Sequence, residues 1–204
     1  TITCTDVAKR FMRETLFKEF SYTFSQHGKY AILGPNSSGK STLLKIVGGA
    51  IAPTKGTVKY TPHSDQHKLF NFCSPELHLL DNYTVREIFD FHFQFNKKKI
   101  PLENQWKTAD LKSFLEKKYN ELSSGLQNKI KLSLALYSDT PGLLLDEPCT
   151  NFDEQNTAWY NQTIEKYCKN QLVIVASNQL SEYKFCTEHI HLQHYKPIKK
   201  WKKY

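Results

Sequence analysis

One loop constrains this chain more than any other feature. Residues 34–41 read "GPNSSGKS", with the apolar run "YAILG" leading in and "TLLKIVGG" following. Gly34, Gly39, Lys40 and Ser41 fit the G-x-x-x-x-G-K-[ST] phosphate-loop pattern. Each part has a physical job. Glycine lets backbone N–H groups turn toward an anion, and the helix that follows aims its positive end at the same point. Lys40 can reach β- and γ-phosphates as a compact charge, and Ser41 can offer a hydroxyl to Mg²⁺. The remaining loop positions, Pro35, Asn36, Ser37, Ser38 and Thr42, carry backbone that would wrap the phosphates. Such a loop works only between a buried strand and a helix. It therefore predicts a strand over "YAILG" and a helix from Gly39 to Gly48-Gly49.

Two further stretches point at phosphate chemistry. In "LLLDEP", residues 143–148, an apolar strand ends at Asp146, where a phosphate-loop enzyme keeps its second Mg²⁺ group. Glu147 beside it can polarise water as a general base. In "ELSSGLQNKIKL", Ser124 is placed to cap a helix, and with Gly125 it offers a second set of N–H groups to an anion.

The rest of the chain fits around these elements. "ITCTDV", "FSYTFS", "GTVKY" and "KLFNFC" read as strands, as do the buried runs "GLLLD" and "LVIVAS". "DEQNTAWYNQTIEKYCK" reads as an amphipathic helix between the last two. Thr84 and Glu87 form a capping box that opens "TVREIFDFHFQF" as a helix. A further helix is expected near Ala109 to Lys118. Strand, helix and strand in alternation give an α/β chain with a parallel sheet. The expected fold is a phosphate-loop NTPase core with an N-terminal antiparallel β subdomain. An α-helical subdomain of about 76–135 is inserted in a core of about 1–75 and 136–204, all one domain.

Taken together, these motifs resemble the ATP-binding-cassette ATPases, the nucleotide-binding subunits of ABC transporters. "GPNSSGKST" is similar to Walker A, "LSSGL" (with Ser123, Ser124 and Gly125) to the signature motif, and "LLLDEP" to Walker B with its catalytic glutamate. "NFD" (Asn151, Phe152, Asp153) is similar to the D-loop. Phe11 stands where the family stacks an aromatic on adenine. The short length resembles the compact, haem-exporter-like cassettes. The resemblance implies ATP and Mg²⁺ as ligands, and Glu147, Lys40 and Asn178 as the catalytic set. It also implies a head-to-tail pair of cassettes, homodimeric or with a paralogue, in which Ser124 and Gly125 cap the nucleotide of the other chain. A separate integral-membrane subunit would be driven from the cytoplasmic face.

The chain departs from the family pattern twice. The family usually has Gln after the strand preceding the helical subdomain; here Ser74 and Pro75 lie nearest, and Gln66 precedes the strand. The family usually has His after the strand following Walker B; here Asn178 stands there, able to donate a hydrogen bond but not to carry charge. The alternative is that Asn178 only caps a helix over "QLSEYKFC", a start where Asn is common. Two other readings therefore stay open. One is a soluble cassette ATPase working on nucleic acid or the ribosome, opposed by the absence of a second cassette or a long coiled-coil insertion. The other is a clamp that binds ATP and hydrolyses it slowly, which the departures favour and intact Lys40, Asp146 and Glu147 oppose.

Composition narrows the classes. The chain has 204 residues, 39% hydrophobic and 24% charged, as expected of a globular domain. No apolar run approaches a membrane span, and no leader pattern opens the chain. Net charge is +8, but five lysines, Lys196, Lys199, Lys200, Lys202 and Lys203, crowd the last nine residues. The body is not a basic nucleic-acid binder, so no nucleic-acid partner is expected; the tail reads as a solvated, frayed end, with contact to an anionic membrane surface or a nucleic acid as the alternative. Five scattered cysteines with no CxxC pair suit reduced thiols in the cytosol. His189, His191 and His194 read as a polar edge strand rather than a metal site. Val85, Ile88, Phe89, His92 and Phe93 share one helical face. Phe91 and Phe95 fall off it, so the helix is either buried on two sides or a dock for a partner's helix.

Overall fold

The structure, a computed structural model, describes residues 1–12, 14–62 and 69–197. In chain order the elements are β1 (Ile2–Phe11), β2 (Glu14–Phe24), β3 (Lys29–Leu33), α1 (Lys40–Val47), β4 (Lys55–Tyr60) and β5 (Phe70–Cys73). Helices α2 (Val85–Phe95), α3 (Leu102–Thr108) and α4 (Ser124–Tyr137) follow. The chain closes with β6 (Gly142–Asp146), α5 (Glu154–Tyr167), β7 (Leu172–Ala176), α6 (Leu180–Tyr183) and β8 (Glu188–His191).

Two sheets result. β2, β1 and β4 form an antiparallel sheet, and β5-β6-β7-β3-β8 form a parallel one. Side chains alternate across a strand, so each parallel strand feeds both faces. Leu144, Ile174 and Ile32 join a cluster with α1 and with Phe17, Phe20 and Phe24 of β2. Leu143, Leu145, Val173 and Val175 join the opposite cluster with α2, α4 and α5. The core thus lies on both sides of one sheet. β7 sits between β6 and β3, so the loops after these three strands share the carboxyl edge of the sheet.

Helix α2 carries the expected capping box: Glu87 N–H donates to Thr84 Oγ1 at 3.2 Å, and Thr84 N–H donates to Glu87 Oε2 at 2.8 Å. The Thr84 N–H, and then the Thr84 hydroxyl donating to the same Oε2 at 2.9 Å, hold the Glu87 carboxyl below its usual range. Val85, Ile88 and Phe89 are buried, but Phe91 and Phe95 are 52% and 75% exposed. The helix is therefore not buried on two sides. The two outward rings pack edge to face, 5.4 Å apart.

Two local expectations are corrected. The helix near Ala109 to Lys118 does not form. Helix α3 lies earlier, and Asp110, at φ 54°, ends it. Leu111 N–H bonds Trp106 O at 2.8 Å and Asp110 N–H bonds Lys107 O at 3.2 Å, the double closure of a Schellman turn. Beyond it only single 3₁₀ turns remain, Lys112–Phe114 and Tyr119–Glu121. The cap of α4 is Ser123, whose Oγ accepts the Leu126 N–H at 3.4 Å; Ser124 is the first helical residue.

β8 is the polar edge strand, and its last residue, His191, has its ring tilted against that of His194 with centres 5.7 Å apart. Among the described residues, no group of three His, Cys, Asp or Glu is placed to hold a metal. All five cysteines are buried and free. Gln66 and tail residues Lys199, Lys200, Lys202 and Lys203 lie outside the described residues. No helix among the described residues is long and apolar enough to cross a membrane.

Candidate active site

The site grows from the end of β3. The chain turns through Gly34 to Gly39, and Gly39 heads α1 at φ 100°. That backbone favours glycine, and a Cβ there would stand 3.2 Å from the Phe17 ring and 3.3 Å from Leu16 Cβ. No side chain caps α1. Leu43 N–H is the first to reach back, to Gly39 O at 2.8 Å. The amides of Lys40, Ser41 and Thr42 are thus left open at the positive helix end. Ser38 Oγ is buried with no hydrogen-bond partner. A cavity of about 270 Å³ covers this loop, lined by Asn36 through Thr42, Glu147 and the apolar wall of Leu16.

Lys40 is 5% exposed, and its Nζ donates to Gly34 O at 2.8 Å and Pro35 O at 3.3 Å. Burial lowers its pKa, while the nearby charges of Glu147 and Asp146 push back. Asp146 ends β6, 6% exposed, with Oδ1 unpartnered. Burial raises its pKa, and the Ser41 hydroxyl beside it opposes the shift. A buried carboxylate with an unpartnered oxygen, and a hydroxyl beside it, are hard oxygen donors of the kind Mg²⁺ takes.

Glu147 follows at φ 43°, an exposed residue on the cavity rim, with its N–H on Ala176 O at 2.9 Å. Its carbonyl accepts both the N–H and the hydroxyl of Thr150, at 3.2 and 2.9 Å. Asn178, just past β7, donates from Nδ2 to Asn36 Oδ1 at 2.9 Å. This contact brings Asn178 onto the phosphate loop. The alternative reading of Asn178 as a helix cap does not hold: Gln179 occupies the cap position of α6, with no side-chain bond.

The structure therefore gathers Lys40, Ser41, Asp146, Glu147 and Asn178 at one sheet edge. Ser123, Ser124 and Gly125 do not line that cavity. Gly125 instead faces the turn after Glu147, where a Cβ would stand 2.9 Å from Asn151 O. Phe11 lies at the end of β1, 51% exposed, with Lys9 Nζ 5.0 Å over its ring.

Three residues escaped sequence reasoning. Leu16 walls the cavity. Asn128 of α4 is 4% exposed and donates to Pro148 O and Thr150 O at 2.8 and 2.9 Å. Glu182 is fully buried behind the site. Asn128 had a weak signal, an asparagine inside an expected helix where its propensity is poor. Leu16 and Glu182 had none.

The ABC transporter family model matches residues 17–150. The Cytochrome c biogenesis ATP-binding export protein CcmA of Brucella abortus (strain 2308) is 27% identical over 171 residues, 82% of this chain and 80% of that protein. The Probable ATP-binding protein YbiT of Escherichia coli O157:H7 is 27% identical over 203 residues, 83% of this chain but 38% of that longer protein. Among solved structures, a dimeric post-hydrolysis state of the ATP-binding cassette MJ0796 bound to ADP and Pi has a TM-score of 0.81 at 21% identity, covering 94% of this chain and 95% of that one. That likeness is one of fold. The family model runs from β2 through the turn after β6 and takes in both the phosphate loop and the acidic pair, so the chain belongs to the ABC transporter family, as an ATP-binding cassette.

Proposed function

We propose that the chain holds MgATP on Gly34–Thr42 and hydrolyses it with Glu147 as general base. Lys40 and the open amides of α1 bind the phosphates. Ser41 and Asp146 would hold Mg²⁺, which when bound offsets the charge on the phosphoryl oxygens. Glu147 takes a proton from water attacking the γ-phosphate, and Asn178 donates to the γ-phosphate oxygens. Phe11 stacks on adenine. The convergence of these groups on one sheet edge, with the Asp146 and Ser38 oxygens unpartnered, is the observation that carries this reading.

Two cassettes pair head to tail in this account, as a homodimer or with a paralogue. Ser123, Ser124 and Gly125 then face the nucleotide of the other chain, which suits their absence from the cavity of their own. The pair drives a separate membrane subunit from the cytoplasmic face. The exposed Phe91–Phe95 pair supports a partner on α2. The helices of about 76–135 act as a subdomain inserted in the core of about 1–75 and 136–204, coupling that partner to the site.

Nucleotide titration tests the binding half. Lys40→Ala removes a charged hydrogen-bond donor, a loss of about 1.5–3 kcal/mol. The ATP dissociation constant should rise by roughly 10- to 150-fold. Wild-type affinity in this variant would remove Lys40 from the site.

A further inference from the structure

Two carboxylates are buried among the described residues, Asp146 and Glu182. Magnesium chemistry accounts for the first. Nothing in the reaction so far accounts for Glu182, which is 0% exposed on the short helix α6. Burying a carboxyl is unfavourable unless donors replace its water. Glu182 has donors at both oxygens. Oε1 accepts the Cys149 N–H at 2.8 Å, and Oε2 accepts the Ser177 hydroxyl. Its main chain is held as well: Glu182 O accepts the Tyr160 hydroxyl at 2.9 Å, and its N–H donates to Gln179 O at 3.0 Å. None of the ion pairs among the described residues includes it.

The two donors sit on the two loops that carry chemistry. Cys149 lies two residues after Glu147, in the turn that Asn128 grips from the other side. Ser177 directly precedes Asn178, and its Oγ also accepts the Gln179 N–H at 2.9 Å. One carboxyl thus bridges the Glu147 turn and the strand end that presents Asn178. We propose that Glu182 is a positioning residue for ATP hydrolysis, fixing the general base relative to the γ-phosphate donor through these two bonds. This rests on the roles assigned above to Glu147 and Asn178. The turn needs such an anchor, because Glu147 stands at a left-handed φ of 43° on the cavity rim and its carboxylate has no hydrogen bond or ion pair among the described residues. A carboxylate suits the place: it offers two acceptors to two donors, one of them an amide N–H that cannot reverse. Glutamine keeps both contacts, with Oε1 on the Cys149 N–H and Nε2 donating to a rotated Ser177 hydroxyl. Alanine leaves the Cys149 N–H buried without an acceptor.

Steady-state hydrolysis and ATP binding of the whole chain test this in Glu182→Ala, Glu182→Gln and Tyr160→Phe, with Glu147→Gln as reference. In Glu182→Ala kcat should fall by about 10- to 100-fold, the scale of a misplaced catalytic group, with ATP affinity held. Glu182→Gln should recover most of the rate. Tyr160→Phe, which loosens α6 from its main-chain side alone, should keep kcat. A merely structural Glu182 would instead lower Tm in both Glu182→Ala and Tyr160→Phe and leave kcat of the folded fraction unchanged in both. Wild-type kcat in Glu182→Ala, an equal loss in Tyr160→Phe, or a loss matched by weaker ATP binding overturns the inference. Should Glu182→Ala not fold, Ser177→Ala decides: lowered kcat with ATP binding intact supports the role, and wild-type kcat ends it. A normal rate in Glu147→Gln would instead overturn the base assignment, and this inference with it.

Discussion

Replacing Glu147 with glutamine should lower ATP hydrolysis by about 10²–10⁴-fold, the contribution of a positioned general base. The substitution keeps size and hydrogen bonding but removes the ability to take a proton from water. The backbone around position 147 is held by the Ala176 carbonyl and by Thr150, none of which involves the carboxylate, so the fold should survive. ATP affinity should stay close to wild type, because Lys40, Ser41 and the α1 amides remain. Phosphate release at saturating MgATP, measured beside nucleotide binding, checks this. A hydrolysis rate within a few-fold of wild type would mean that another group activates water.

Asn178→Ala should slow turnover by about 10²–10³-fold, the loss typical of one preorganised donor on a developing anion. The contact with Asn36 places this amide on the phosphate loop. In the reaction the same Nδ2–H can turn from Asn36 to a γ-phosphate oxygen. The effect should fall on kcat, since the ground-state phosphates keep their other partners. The helix-cap explanation would have predicted a loss of about 1 kcal/mol in stability with turnover kept. With Gln179 at the cap position, that loss is not expected. Turnover measured with Tm separates the outcomes. An unchanged rate would show that this position no longer senses phosphate, and would favour the slow clamp over the transporter motor.

What the sequence made legible follows from locality. The phosphate loop, the acidic strand end and the Thr84 capping box are short patterns whose chemistry is contained within a few residues. Alternating buried runs placed β3, β6 and β7 correctly, because parallel strands buried on both faces read as continuous apolar stretches. Helix α3 was missed because its start at Pro101 lies in a lysine-rich stretch and its end depends on Asp110 taking a conformation usually left to glycine. On α2 the periodicity put Phe89 on the apolar face and Phe91 and Phe95 off it, but whether a second side is covered depends on distant chain, and only the fold shows Phe91 and Phe95 exposed. The Glu182 bridge spans 33 residues to Cys149, a closure that no local pattern announces.

Self-association of the Glu147→Gln chain in MgATP tests the central claim most directly. It requires the phosphate loop to bind ATP, Ser124 and Gly125 to complete the site of another chain, and Glu147 to be the group that ends the bound state. Light scattering on the purified chain should find monomer without nucleotide, a doubled mass with MgATP, and monomer again with MgADP or when Lys40→Ala is added. A chain that stays monomeric at saturating MgATP and high concentration, or one that is dimeric whatever the nucleotide, would contradict the account.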